Sequence, residues 1–225
     1  PDEIQTINGQ KYLKKDNTKK IHVGPSESMS KSKKNTIDPE NIIMNYGADS
    51  ARLFILSDSP PEKDVQWSEE GIASSFKFIQ KLWNLNNVIL DEINKDHKKD
   101  TDEEINKRTN KFLKDVTNNL ENFSYNKIIA NFHEIYSFLS KQIKKSYKKN
   151  TLINNYEKIL ITMLPVIPHF ANECLTMINS NAVNWPNFDE NILKDEISNI
   201  VIQINGKKRG LIQTETNISE EKLFD

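Results

Sequence analysis

The chain has 225 residues, and its 31 Lys and Arg against 32 Asp and Glu leave a formal net charge of −1. That length allows one or two domains with a buried core, and the charge balance excludes a global positive field, so any nucleic-acid contact must come from local basic clusters. The single cysteine, Cys174, excludes an internal disulfide and reads as a buried spectator thiol; no Cys/His cluster has metal-ligand spacing, and no apolar run approaches the roughly 20 residues of a membrane span.

The opening PDEIQTINGQKYLKK lacks the apolar core of a signal peptide, which with the lone thiol points to a reducing, cytoplasmic setting. The absent initiator Met and the ending SEEKLFD lead us to expect a piece of something longer. From Pro1 to Lys34 the composition is polar and Lys-rich, with turn signals at Asn8-Gly9 and Gly24-Pro25, which predicts a short hairpin followed by a loop. Asp38-Pro39 supplies an N-cap with proline at the first helical position, and Gly47 a left-handed stop. A second short helix carries Arg52, Leu53, Phe54 and Ile55 up to Pro60-Pro61.

From Ser68 the period is helical, and Ile72, Phe76, Ile79 and Trp83 fall on one face, with Trp83 expected in the core. Thr101 with Glu104 forms a capping-box pattern ahead of Ile105, Phe112, Val116 and Leu120. A third long helix runs from about Ser124 through Ile128, Phe132, Ile135, Leu139 and Ile143. A fourth carries Leu152, Tyr156, Ile159, Leu160 and Met163 until Pro165 and Pro168 interrupt it, and a final segment carries Phe170, Leu175 and Ile178. These elements predict an antiparallel helical bundle. After Trp185-Pro186, the β-branched run 200–204, the turn dipeptide Asn205-Gly206 and then Lys207, Lys208, Arg209 predict a small β element.

The segment that carries chemistry is Ser28-Met29-Ser30-Lys31-Ser32-Lys33-Lys34-Asn35, just ahead of the Asp38-Pro39 helix start. It offers mobile cations and hydroxyl donors beside a helix N-terminus, a set suited to a polyphosphate, although composition alone fits a solvated Lys/Ser linker as well. The order of residues adds more. MSKSKKNTIDPENIIMNYGADSARLFILSDSPPEKDVQWSEEGI resembles the region around the KMSKS signature of class I aminoacyl-tRNA synthetases. The resemblance implies that Met29, Ser30, Lys31 and Ser32 bind ATP, with Lys31 matching the second signature lysine and Lys31, Ser30 and Ser32 serving catalysis. Ser28 stands where that family has the first lysine, which removes one cation that Lys33 or Lys34 would partly replace.

The stretch 59–71 and the run Val201 to Gly210 are similar to the leucyl members of the family. The resemblance therefore implies a mainly α chain: the end of a catalytic region with the signature loop (1–36), a helical junction (37–70), an anticodon-binding-type helical bundle (71–182), and the start of a small α/β C-terminal tRNA-binding domain (183–225). It implies a monomeric ligase that uses ATP with Mg2+, leucine and tRNA(Leu). His22, His97, His133 and His169 show no HxGH pattern, no βαβ nucleotide unit is legible, and the leucine pocket and editing domain are missing, so the isolated chain is expected to be inactive and to hold no cofactor.

Lys141, Lys144, Lys145, Lys148 and Lys149 recur at helical spacing and predict a basic face on the third long helix, either an RNA-backbone track through Lys141 and Lys145 or a solvated surface. Lys207, Lys208 and Arg209, grouped by a tight turn, are the stronger tRNA-binding candidates. His169 is expected to pack and hydrogen-bond within the bundle, and Trp67 and Trp185 to seal domain junctions. The alternatives are a valyl- or isoleucyl-type relative, a non-catalytic RNA-binding helical module, and a purely structural bundle.

Overall fold

The computed structural model describes residues 4–215, apart from 23, 26, 59, 96–101, 144–146, 183, 194–196 and 205–206. It divides into two compact units, Pro1–Asn41 and Ile42–Asp225. In the first, β1 (Ile4–Ile7), β2 (Gln10–Leu13) and β3 (Asp16–Lys20) form an antiparallel meander. Asn8 (φ +49°) and Gly9 (φ +78°) make the β1–β2 turn, the pair of left-handed residues that a two-residue hairpin prefers. The sequence predicted only that hairpin. β3 adds to it although all five of its residues are exposed, because pairing with β2 needs backbone groups and no apolar face.

α1 (Pro39–Tyr46) starts where Asp38 accepts from the Glu40 amide at 3.0 Å, and ends where Gly47, at φ +81°, returns its N–H to the Ile43 carbonyl at 2.8 Å.

The second unit is a helical bundle. α2 (Ala48–Asp58) packs on α3 (Glu69–Ile93), α4 (Asp102–Glu121) on α5 (Tyr125–Gln142) and α6 (Lys149–Met163), and α6 on α7 (Pro168–Met177). Phe112, Phe132, Ile135, Tyr156, Leu160 and Ile167 belong to one continuous buried cluster. α3 begins at Ser68, whose hydroxyl accepts from Gly71 N–H at 3.1 Å. A β-carbon at Gly71 would sit 2.4 Å from the Phe54 ring, so glycine is what allows α2 to lie this close to α3.

The inward face of α3 differs from the predicted one. Ile72, Phe78, Leu82, Leu85, Ile89 and Ile93 are buried, whereas Trp83 is 36 % exposed. On α4 to α7 the predicted apolar positions do face the core, with Leu120 and Ile178 half-buried; Thr101 lies outside the described residues. α8 (Glu190–Leu193) is a single turn. β4 (Ile197–Ile204) and β5 (Lys207–Glu215) form an antiparallel hairpin whose turn dipeptide, Asn205-Gly206, is outside the described residues.

One contact set holds the corner between α6 and α7. Pro168 opens α7 without an N–H to satisfy, and the N-cap residue Ile167 has no polar side chain, so the remaining free donors need an acceptor from elsewhere. Asp49 of α2 supplies it, accepting from Phe170 N–H at 2.7 Å and His169 N–H at 3.3 Å and meeting His169 Nδ1 at 2.9 Å. One turn along α2, Arg52 donates through Nε to the Val166 carbonyl at 2.9 Å and through Nη2 to the Pro165 carbonyl at 2.7 Å. A carboxylate thus meets the positive end of α7 while a guanidinium meets the carbonyls that follow the negative end of α6. We predict that Asp49→Ala lowers unfolding free energy by about 1–3 kcal/mol, since it orphans buried helix donors. Urea unfolding of the chain measures this, and a change within experimental scatter would contradict the capping role.

Candidate functional site

The signature loop lies in the first unit and curls on itself. Ser30 N–H donates to Asn35 Oδ1 at 2.8 Å, Asn35 Nδ2 donates to the Ser28 carbonyl at 3.3 Å, and the Lys33 and Lys34 amides donate to the Ser30 and Lys31 carbonyls, each at 3.2 Å. The Ser30 and Ser32 hydroxyls lie 3.2 Å apart. Met29, Lys31, Ser32 and Lys33 are exposed and Ser30 is half-buried, which leaves this strip accessible to a ligand. Lys33 Nζ pairs with Glu27 at 2.8 Å, both side chains at least half exposed, whereas Lys31 makes no ion pair among the described residues. The lysine that the sequence singles out is therefore available to a ligand, as is Lys34, whereas Lys33, the other candidate replacement for the missing first lysine, pairs with Glu27.

The other basic candidates do not gather on one helix. Lys141 stands exposed in the last turn of α5, Lys148 is the N-cap of α6, Lys149 begins α6, and Lys144 and Lys145 are outside the described residues. The expected single basic face is thus split by the chain turn after Gln142, because a run of helical spacing cannot report where one helix stops and the next starts. Lys207, Lys208 and Arg209 are consecutive and exposed on β5. Gln203 pairs with Lys208 and Ile202 with Gly210, so Arg209 is the extra residue of a bulge, which breaks the strict alternation that would send neighbouring side chains to opposite faces.

A cleft of about 900 Å³ in the second unit was not legible beforehand. Tyr46, Asp49, Trp83, His169, Phe170 and Glu173 are among its lining residues, and Trp83 meets Phe170 edge to face at 6.5 Å. Its residues come from three distant segments, so no local pattern announces it. His169 hydrogen-bonds as expected, but its ring is 74 % exposed and does not pack. His133 stacks on Phe78 at 3.8 Å between ring centroids; burial, with a smaller contribution from Lys81, holds its imidazole below the ordinary value. Trp67 packs edge-on against Phe54 at 5.3 Å, and Trp185 donates to Thr117 Oγ1 at 3.0 Å. Among the described residues no group of three His, Cys, Asp or Glu is placed to hold a metal ion, and no helix is long and apolar enough to cross a membrane.

Comparison with known proteins decides the family. The family model described as the anticodon-binding domain of tRNA ligase matches residues 102–224, and that described as tRNA synthetases class I (I, L, M and V) matches residues 22–68. The chain belongs to the tRNA-ligase anticodon-binding family. It is similar to leucine–tRNA ligases of Wolbachia pipientis subsp. Culex pipiens strain wPip (40 % identity over 213 residues, 91 % of this chain and 26 % of the relative), Chelativorans sp. strain BNC1 (38 % over 205 residues, 85 % and 24 %) and Cereibacter sphaeroides strain ATCC 17025 (34 % over 229 residues, 99 % and 25 %). It spans about a quarter of the length of these relatives. Its fold is that of a solved ternary complex of Agrobacterium radiobacter K84 agnB2 LeuRS with tRNA and LeuAMS, with a TM-score of 0.73 at 22 % identity, covering 87 % of this chain and 27 % of that one.

Within this anticodon-binding domain, Cys174 is the one thiol and the obvious nucleophile to examine. It is fully buried, and burial pushes its pKa up to about 12, against a smaller downward pull from the Tyr156 hydroxyl; burial first, then Cys174, raises Tyr156 well above the phenol range in turn. The fold therefore keeps both groups protonated, and the stability that this confers is complete below the ordinary thiol value of 9.0 and is lost as pH rises from there toward 12. We expect folding stability to fall through that window with a shallower slope in Cys174→Ala, and alkylation at pH 8 to require unfolding. Rapid labelling of the native chain would contradict this.

Proposed function

We propose that this chain is the part of a cytoplasmic leucine–tRNA ligase that carries the ATP-phosphate loop and tRNA-binding surfaces, the rest of the active site being supplied by sequence that the longer relatives contain. The observation that carries the reading is the exposed Met29-Ser30-Lys31-Ser32 strip in a chain 40 % identical over 91 % of its length to leucine–tRNA ligases. In this reading residues 1–36 end the catalytic region, 37–70 form the junction, 71–182 the anticodon-binding bundle, and 183–225 begin a further tRNA-binding domain.

The proposed reaction has two steps. Leucine attacks the α-phosphate of ATP to form leucyl adenylate and pyrophosphate, and the leucyl group then passes to a ribose hydroxyl of the terminal adenosine of tRNA(Leu), with AMP as the leaving group. Magnesium would arrive on the nucleotide phosphates, whose charge it would offset. As the α–β bond breaks, negative charge grows on the departing pyrophosphate, and Lys31, a compact ammonium on an exposed loop, binds that state better than it binds ground-state ATP. Ser30 and Ser32 donate hydroxyl hydrogen bonds to the same oxygens. At the other end of the chain, Lys207, Lys208 and Arg209 neutralise phosphates of the tRNA body, with Lys141 and Lys145 as weaker contacts.

In the complete ligase polypeptide, Lys31→Ala should lower leucine-dependent ATP–pyrophosphate exchange about 100-fold or more, the scale of losing one preorganised charge at a transition state. Lys31→Arg should also impair it, because a planar fork does not replace a compact ammonium. Exchange unaffected by Lys31→Ala would refute the catalytic assignment. For the tRNA surface, neutralising Lys207, Lys208 and Arg209 together should weaken tRNA binding and reduce the slope of log K against log salt by about 2–3. An unchanged slope would move the tRNA contact elsewhere.

A further inference from the structure

The loop that presents Lys31 is closed by one carboxamide. Asn35 lies beyond the signature, in the exposed segment before α1, yet its side chain reaches back across the loop: Oδ1 accepts from Ser30 N–H at 2.8 Å and Nδ2 donates to the Ser28 carbonyl at 3.3 Å. Both polar groups of the amide are thus spent on backbone, one residue before and one residue after Met29. Inside this clasp the chain makes two tight turns, with the Lys33 amide on the Ser30 carbonyl and the Lys34 amide on the Lys31 carbonyl. Ser30 Oγ receives the Lys33 amide at 3.3 Å. Lys34, the residue before Asn35, adopts φ +52°, a left-handed conformation that a side chain with a β-carbon disfavours and that persists only where surrounding bonds impose it.

We propose that Asn35 is a positioning residue for phosphate binding, its carboxamide clasping the two sides of the 28–35 loop so that Lys31 is delivered as the tip of a rigid curl. This rests on the reading of Lys31 as the cation that meets ATP. Three features single out Asn35. Its amide is a bifunctional side-chain bridge between residues 28 and 30, whereas the Glu27–Lys33 ion pair links two solvent-exposed side chains and leaves the backbone free. It constrains the backbone one residue before Lys31, so loosening it spreads the ammonium over many positions while leaving its charge intact. It also stands outside the buried core of the bundle, so removing it separates positioning from folding.

An unclasped lysine still reaches the triphosphate but is placed for the transition state in a smaller share of encounters, so the loss appears in turnover more than in amino-acid binding.

The test compares four forms of the complete ligase polypeptide in leucine-dependent ATP–pyrophosphate exchange: unmodified, Asn35→Ala, Thr36→Gly and Lys31→Ala. Asn35→Ala should lower kcat about tenfold or more with the KM for leucine unchanged, while Thr36→Gly, which loosens the exposed chain beside Asn35 but keeps the clasp and every loop cation, stays within about twofold of the unmodified enzyme. In the 225-residue chain, Asn35→Ala should accelerate hydrogen exchange at the Ser30 amide without shifting the thermal unfolding of the bundle. Unchanged kcat in Asn35→Ala beside a crippled Lys31→Ala overturns the clasp and leaves the ligase reading intact. Unchanged exchange in Lys31→Ala overturns the reading itself. A loss in Thr36→Gly equal to that in Asn35→Ala assigns the effect to general loop stiffness and also overturns the clasp.

Discussion

The second unit depends on two side chains one turn apart on α2. Proline at the start of α7 and an apolar N-cap leave the 165–170 corner unable to satisfy its own backbone, and Asp49 and Arg52 complete it with charges matched to the two helix ends that meet there. The consequence is topological as well as energetic. α2 is separated from this corner by well over a hundred residues of sequence, and fixing it there brings Phe54 onto α3 at Gly71 and sets His169 at the rim of the cleft beside Trp83. Cys174 and Tyr156 are sealed in the core, and burial raises the pKa of each.

The 28–35 loop of the first unit is held by a different set of bonds. Its ion pair between Glu27 and Lys33 is solvent-exposed and of a kind worth about 0–1 kcal/mol, so the backbone of the curl is held instead by the Asn35 carboxamide on Ser28 and Ser30. On the proposed reading, the chain combines a catalytic cation carried on a side-chain-clasped surface loop with a packed bundle that backs the tRNA-binding surface.

How far the sequence carried these conclusions depended on whether the signal was local. Caps and turns were legible because a single residue determines them: Asp38 and Gly47 bound α1, and Asn8-Gly9 makes the first hairpin. The periodic helices α4 to α6 were legible because one apolar stripe faces one core. α3 misled because it carries apolar residues around much of its circumference, and its neighbours, through contacts absent from local sequence, chose Phe78, Leu82 and Leu85 over Trp83. β3 was invisible because a strand exposed at every position has no alternation to detect. The candidate cation Lys31 was proposed from the order of its neighbours, but the Asn35 bridge in the first unit and the Asp49–His169 contact in the second are visible only in the folded chain, since neither partner pair follows a periodic rule.

The measurement that bears most directly on the account is amino-acid-dependent ATP–pyrophosphate exchange by the complete polypeptide, run side by side with leucine, isoleucine, valine and methionine. The account predicts exchange with leucine far above the other three. Exchange favouring another of the four, or none with any, would contradict it.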